Sequence, residues 1–170
     1  MTDMTTLSSG LVLCVALATG SAHADDPSEW GINGTYAVSS NGQWAKRNDV
    51  YHNEAVVRST WTISTKCTTP VDCAGTVTSD QGWSAPVYTT SGLSWYVKRK
   101  LPRWEPCPDG TAADGLQTFR FYPVDTATGN VSEHDTTTLA GEDSTIGPSG
   151  ACGVSKWLTI KMPFKAVKIS

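Results

Sequence analysis

Alternation of apolar and polar residues along the chain predicts β-strands. Between residues 55 and 65, Val57, Trp61 and Ile63 are apolar, and the positions between them are mostly polar. A period of two buries one face of an extended strand and exposes the other, whereas a helix would scatter the same residues around its circumference. The segment is therefore expected to form a half-buried strand.

The same alternation recurs in other parts of the chain. Trp95 and Val97 alternate with Tyr96 and Lys98, and Phe119 and Phe121 follow the same pattern. Further strands are expected near residues 35–39, 73–79, 83–90, 136–139 and 157–162. Seven or eight short strands divided by turn residues are typical of an all-β antiparallel barrel or sandwich, and the pattern leaves both open.

Helical spacing of apolar residues is weak after the first 24 residues. We expect one short helix around residues 49–54. Residues 101–114 contain several prolines, and residues 125–153 contain several glycines and aspartates, so both segments are expected to be largely irregular.

The N-terminus predicts export. Residues 11–18 form the apolar run LVLCVALA, which is too short to span a bilayer, and Ala22 and Ala24 are the small residues that a signal peptidase requires. We interpret residues 1–24 as a signal peptide and residues 25–170 as a single secreted β domain, located in the medium or the cell envelope. The first ten residues lack Lys and Arg, so an apolar N-terminal helix of an intracellular protein stays the alternative.

Charge narrows the range of partners. Removing 24 of the 170 residues leaves 146, and because Asp3 leaves with them, 13 basic and 15 acidic residues remain, a net charge of −2. Nucleic-acid binding would require a strongly basic face, so no nucleic-acid partner is expected. No second apolar run is long enough to predict a transmembrane segment in the mature chain.

Four cysteines remain in the mature chain: Cys67, Cys73, Cys107 and Cys152. An even count in an exported domain favours two disulfides, and the absence of closely spaced ligand pairs or nearby histidines argues against a metal site. Cys67 and Cys73 flank the turn-forming residues TTPVD, unlike the CxxC motif at a helix start in thiol oxidoreductases. Three pairings are possible, and we favour 67 with 73 and 107 with 152, because a hairpin brings the first pair together.

Several blocks resemble a group of small exported hypothetical proteins of mycobacteria, which has no established activity. The blocks are GTYAVSSNGQWAKRNDV, STWTIST with the paired cysteines, SDQGWSAPVY and WEPCPDGTAADGLQTFRFYPV. The resemblance implies export and a β fold, and it implies no catalytic residues. The segment from Trp30 to Tyr36 also resembles the Gly-x-Trp opening of lipocalin-like barrels, with Tyr36 where that family has Trp.

Seven tryptophans are many for this length. Trp61 and Trp95 lie on predicted core faces and are expected to fill the interior. Trp30, Trp44 and Trp104 lie near turns and loops, where an indole can stack on a sugar ring or bind an apolar ligand. These three are the predicted ligand-binding residues.

Catalytic chemistry has little support in the sequence. No nucleophile elbow, zinc-binding helix or phosphate-binding loop is present, no cofactor is implied, and any catalytic residue is unknown. His52, His134 and the carboxylates of Glu54, Glu105 and Asp109 are the available groups. We therefore predict a domain that binds an apolar or glycan ligand, or an extracellular protein partner. A small secreted hydrolase, and a surface or structural protein acting through protein contacts alone, are the alternatives.

We expect the exported protein to begin at Asp25, because cleavage should follow Ala24. Intact-mass measurement of protein recovered from the medium or envelope checks this. Recovery only from the cytosol, with residues 1–24 retained, would contradict export.

Overall fold

The computed structural model describes residues 30–132 and 135–170, which form ten β-strands and two short 3-10 helices. The predicted signal peptide and His134 lie outside the described residues. The strands are β1 (Gly34–Ser40), β2 (Lys46–Arg47), β3 (Val50–Tyr51), β4 (Val57–Thr69), β5 (Asp72–Ser79), β6 (Trp83–Thr89), β7 (Trp95–Pro106), β8 (Ala112–Pro123), β9 (Thr138–Ile146) and β10 (Thr159–Lys168). The 3-10 helices span Gly42–Trp44 and Ala151–Gly153.

Eight of these strands close into an antiparallel barrel. Their order is β1-β4-β5-β6-β7-β8-β9-β10, and β10 pairs back onto β1, with Val38 opposite Ala166. Closure leaves no unpaired edge among the eight strands. The prediction of an all-β fold is confirmed, and the structure is a barrel and not a sandwich.

β1 and β4 belong to one long hairpin whose two strands separate in the middle. Gly34 lies opposite Ile63, Ser40 opposite Val57, and Lys46 opposite Tyr51, so the register is unchanged from end to end. Between Ser40 and Lys46 the 3-10 helix interrupts the ladder. Beyond it, β2 continues along β10 while β3 lies outside β2. We call the β2–β3 hairpin, residues 46–51, the arm.

The arm replaces the short helix that we expected at residues 49–54, and that prediction is wrong. Arg47 pairs with Val50 across a two-residue turn in which Asn48 and Asp49 both have positive φ, 48° and 66°. Asn and Asp are among the few residues that adopt this conformation readily, and tight hairpin turns use it. Asn48 and Asp49 therefore form a hairpin turn that leads into β3, and they do not start a helix.

The hairpin of β7 and β8 is longer than the sequence indicated. Residues 101–114 were expected to be irregular, but β7 runs to Pro106 and β8 begins at Ala112. A bulge between Leu101 and Glu105 accommodates Pro102, because a bulged residue leaves the hydrogen-bond ladder, and Pro106 is the last residue of β7. β9 likewise lies within residues 125–153, the second segment that we expected to be largely irregular.

Side chains of the alternating apolar positions fill the barrel. The buried core includes Tyr36, Val38, Trp61, Ile63, Val77, Val87, Trp95, Val97, Phe119, Phe121, Leu139 and Phe164. The predicted core positions of Trp61 and Trp95 are confirmed, since each indole is 1% exposed.

Both predicted disulfides are present, one at each end of the barrel. Cys67–Cys73 joins β4 and β5 next to their turn. Cys107–Cys152 joins the tip of the β7–β8 hairpin to the loop between β9 and β10. The second disulfide lies at the end that carries the arm, which we call the arm end, and the first lies at the far end.

Removing the Cys107–Cys152 disulfide should destabilise the fold more than removing Cys67–Cys73. The two bonds close sequence separations of 45 and 6 residues. By chain entropy the longer loop contributes about 4 kcal/mol and the shorter about 2 kcal/mol. Urea unfolding of the double variants Cys107→Ser/Cys152→Ser and Cys67→Ser/Cys73→Ser measures both values, and the reverse order would contradict the expectation.

Candidate functional site

The barrel interior is occupied by aromatic rings. The Trp61 ring centroid lies 5.3 Å from that of Trp83, 4.8 Å from that of Phe119 and 5.3 Å from that of Phe164. Edge-to-face contacts at these distances are favourable, and they fill the space that a ligand would need. A cavity beside these rings, lined also by Ser40 and Asp143, has a volume of about 20 Å³. A space of this size holds about one water molecule and no sugar ring or lipid chain.

A chain of polar side chains crosses the interior at the arm end. Arg99 Nε donates to Gln117 Oε1 at 2.7 Å, and Gln117 Nε2 donates to Asp143 Oδ1 at 2.8 Å. The Ser40 hydroxyl donates to the other Asp143 oxygen at 2.7 Å. The Arg99 guanidinium also lies 4.1 Å from the centroid of the Trp83 ring. The network therefore links four strands and an aromatic side chain.

Burial raises the pKa of Asp143 above the ordinary aspartate value, because desolvation penalises the carboxylate. Hydrogen bonds from Ser40 and Gln117 and the charge of Arg99 oppose this shift, and neighbouring Glu142 adds to it. Desolvation likewise lowers the pKa of Arg99. Since the partners of Asp143 come from within the barrel wall, the network serves to hold the arm end of the barrel together.

The three predicted ligand-binding tryptophans lie in different environments. Trp30 is half-buried against the core at the far end, whereas Trp44 and Trp104 lie at the arm end. A Cβ on Gly115 would come within 2.9 Å of the Trp104 ring, so only glycine leaves room for that indole. Trp104 therefore packs on the barrel, and Trp44 is the one of the three that is largely exposed, at 69%.

Other large hydrophobic side chains are exposed at the arm end besides Trp44. Val50 is 69% exposed and Tyr51 is 66% exposed. Trp157, in the loop between β9 and β10, is 55% exposed beside an open hollow of about 370 Å³. Several exposed hydrophobic side chains at one end of a domain mark a contact surface more often than a single one does. Sequence reasoning identified Trp44 but missed Val50 and Tyr51, because it assigned them to a helix.

Tyrosine and basic side chains also line the outer wall of the barrel. The rings of Tyr88 and Tyr96 stack at 5.7 Å between centroids, and the Arg120 guanidinium lies 6.0 Å from the Tyr96 ring and 5.3 Å from that of Tyr122. These are contacts between neighbouring strands, and cross-strand pairs of this kind stabilise a sheet. The rings pack on their neighbours in the wall, so we interpret this row as structural.

Of the candidate catalytic groups, His52, Glu54 and Asp109 contact polar neighbours, whereas the buried Oε2 atom of Glu105 has no hydrogen-bond partner among the described residues. His52 Nδ1 lies 2.9 Å from Glu54 Oε1, and Arg47 lies 4.0 Å from the same oxygen. Asp109 accepts hydrogen bonds from the backbone and hydroxyl of Thr111, which lower its pKa. In the part of the chain that the structure describes, no serine, threonine or cysteine donates a hydrogen bond to His52. Hydrolysis by a nucleophile–histidine pair therefore has no assembled site there.

The described residues contain neither a metal-binding cluster nor a helix that could span a membrane. Among residues 30–132 and 135–170, no group of three or more His, Cys, Asp or Glu side chains is placed to hold a metal ion. Within the same ranges, no helix has both the length and the apolar character needed to cross a membrane.

No protein-family model matches the sequence, and no curated protein matches it. Among solved structures, the chain is similar to one described as the monomer form of the M. tuberculosis PknI sensor domain. The TM-score is 0.56 at 14% sequence identity, over 81% of this chain and 87% of that chain. At this identity the likeness shows the fold alone. The neighbour is mycobacterial, as are the proteins that the sequence resembles, and the resemblance itself stays a prediction.

Asp143→Asn should change the pH dependence of stability. Because the folded-state pKa of Asp143 is raised, its contribution to stability is complete below the ordinary aspartate pKa and is lost as the pH rises through the raised value. Asparagine cannot ionise, so the free energy of unfolding of the variant should rise relative to that of the parent as the pH rises from the ordinary aspartate pKa through the raised value. Urea unfolding across this range tests the expectation, with Asp80→Asn at an exposed carboxylate as the control. Parallel curves for parent and Asp143→Asn would contradict it.

Proposed function

We propose that the chain is an exported binding domain that holds its ligand or partner on the outside of the barrel, at the arm end. The observation that carries this proposal is the exposure of Trp44, Val50 and Tyr51, each about two-thirds accessible to solvent. A folded domain gains stability by burying such side chains, so their exposure indicates a surface kept for contact.

The filled interior supports binding on the outside. Trp61, Trp83 and Phe119 occupy the space near the arm end, and the cavity beside them is the size of a water molecule. An apolar ligand held inside, in the manner of barrels with a large lumen, would have to displace these rings. The arm needs no such rearrangement.

Three features support a location outside the cytoplasm. Both disulfides join described parts of the chain, and disulfides persist in oxidising compartments. The apolar run at residues 11–18 predicts a signal peptide. The structural neighbour is described as a sensor domain, and a sensor acts by binding, so its description supports a binding role.

The predicted tryptophans take different parts in this proposal. Trp44 belongs to the contact surface. Trp104 packs against Gly115 at the arm end, whereas Trp30 packs against the core at the far end and takes no part in the contact surface. A domain that works through protein contacts alone would use the same arm, and the hydrolase alternative lacks a nucleophile beside His52 among the described residues.

The double variant Trp44→Ser/Tyr51→Ser should lose binding to the envelope fraction of the cells that export the protein. Each change removes a large exposed hydrophobic group, and together they should weaken binding at least about tenfold. Co-sedimentation of the purified mature protein measures this. Ile169→Ser, at an exposed residue of the far end, is the matched control. Equal losses in both variants, or none in the arm variant, would contradict the proposal.

A further inference from the structure

We infer that the arm end binds an anionic lipid surface, with Tyr51 of the arm and the neighbouring Trp44 in the headgroup region and the lysines around the arm turn against lipid phosphates. The inference rests on the proposed function, since it names the partner of the same surface. It depends on three properties of that surface: exposure of both faces of the arm, its positive charge, and the shortness of its free edge.

Both faces of the arm expose hydrophobic groups. Val50 and Tyr51 are adjacent in β3, and adjacent strand residues point to opposite faces. Each is about two-thirds exposed. A flat partner would cover one face and leave the other in water, whereas an interface into which the arm inserts covers both. Val50 lies next to the arm turn, Tyr51 at the base of the arm, and Trp44 just before it in the chain. Such side chains match a headgroup region, where the aromatic ring is apolar and its hydroxyl or N–H stays hydrated.

Lysine side chains surround the arm turn. Lys161 Nζ lies 2.8 Å from Asp49 Oδ1 and lowers the pKa of that carboxyl, and the charges of Lys46 and Lys156 lower it further. Asp49 pairs with Lys161, on which Glu142 also acts, whereas among the described residues neither Lys46 nor Lys156 has a carboxylate within ion-pair distance. Residues 147–158, which carry Lys156 and Trp157, contain no Asp or Glu.

This charge contrasts with that of the chain as a whole, which has a formal net charge of −3. A cluster of lysines on an acidic protein orients that protein toward an anionic surface. Each lysine near anionic lipid contributes about 1 kcal/mol to the free energy of binding. Exposed tryptophan beside lysine is the combination that interfacial segments use. Charge complementarity thus favours anionic lipid over a neutral glycan.

The free edge of the arm is too short to recruit a strand from a protein partner. β3 consists of Val50 and Tyr51 alone, so an added strand would gain only one or two backbone hydrogen bonds. From base to turn the arm spans roughly 10 Å of extended chain, which is the depth that interfacial segments reach. Its unpaired backbone groups would stay in the hydrated headgroup region.

Flotation with lipid vesicles tests the inference. The mature protein should float with vesicles of an equimolar mixture of phosphatidylglycerol and phosphatidylcholine, and not with phosphatidylcholine alone. Lys46→Gln and Lys156→Gln should each weaken binding about fivefold, and Trp44→Ser or Trp157→Ser by about tenfold or more. Lys66→Gln, at an exposed lysine of β4, and Ile169→Ser at the far end should leave binding unchanged.

Tryptophan fluorescence gives a second measurement. The emission of Trp44 and Trp157 should shift to the blue and be quenched by brominated lipid, because both indoles enter the headgroup region. A melting curve for each variant separates loss of binding from loss of folding.

The outcomes distinguish this inference from the proposed function. No flotation with the anionic vesicles, combined with arm-dependent binding to the envelope fraction, would overturn the lipid inference and point to a protein or glycan partner. Failure of both assays would overturn the arm as a binding surface. Flotation that Lys66→Gln weakens as much as Lys46→Gln would show unspecific charge attraction and would also overturn the inference.

Discussion

Pairing of β1 with β10 is the constraint on which the structure depends. This pairing closes eight strands into a barrel, and a barrel of that size encloses a space that side chains can fill. Trp61, Phe119 and Phe164 fill it here with edge-to-face and tilted contacts. Because aromatic side chains fill the interior, a ligand the size of a sugar ring or a lipid chain has room to bind only on the surface. Closure of the sheet therefore determines where function can reside.

The same β10 strand also accounts for the arm. The C-terminal half of β10 pairs with β1, and its N-terminal half pairs with β2. One side of the long hairpin therefore runs along β10 beyond the point where the two sides of the hairpin separate. At that point Gly42 lies against the backbone carbonyls of Glu54 and Ala55, where a Cβ would collide. The Gly42 carbonyl also accepts a hydrogen bond from the Glu54 amide at 2.9 Å, which holds the two strands together where the 3-10 helix interrupts the ladder. Trp44, the last residue of that helix, is exposed.

Local alternation predicted most strands of the barrel, because each strand is recognised from residues that are close in sequence. The even number of cysteines, with one closely spaced pair, predicted both disulfides. The arm was not predicted. Asn48-Asp49 favours a tight turn as well as a helix start, and only the distant β10 decides between them. The loop positions of Trp44 and Trp104 favour exposure equally, but Gly115, across the β7–β8 hairpin, and Gly147, after β9, leave room for the Trp104 ring. Binding surfaces depend on such long-range contacts.

The exposed hydrophobic side chains of the arm do not contribute the free energy of unfolding that their burial would give. Other interactions at the arm end stabilise the arm instead. Cys107–Cys152 fixes the neighbouring loop, Lys161 pairs with Asp49 across the turn, and His52 contacts Glu54 at its base. These contacts hold the arm in place before any partner arrives. A surface that is already ordered loses little conformational entropy on binding. Under the proposed function, the exposed residues Trp44, Val50 and Tyr51, with Trp157 at the same end of the barrel, would therefore bind a partner without a deep pocket.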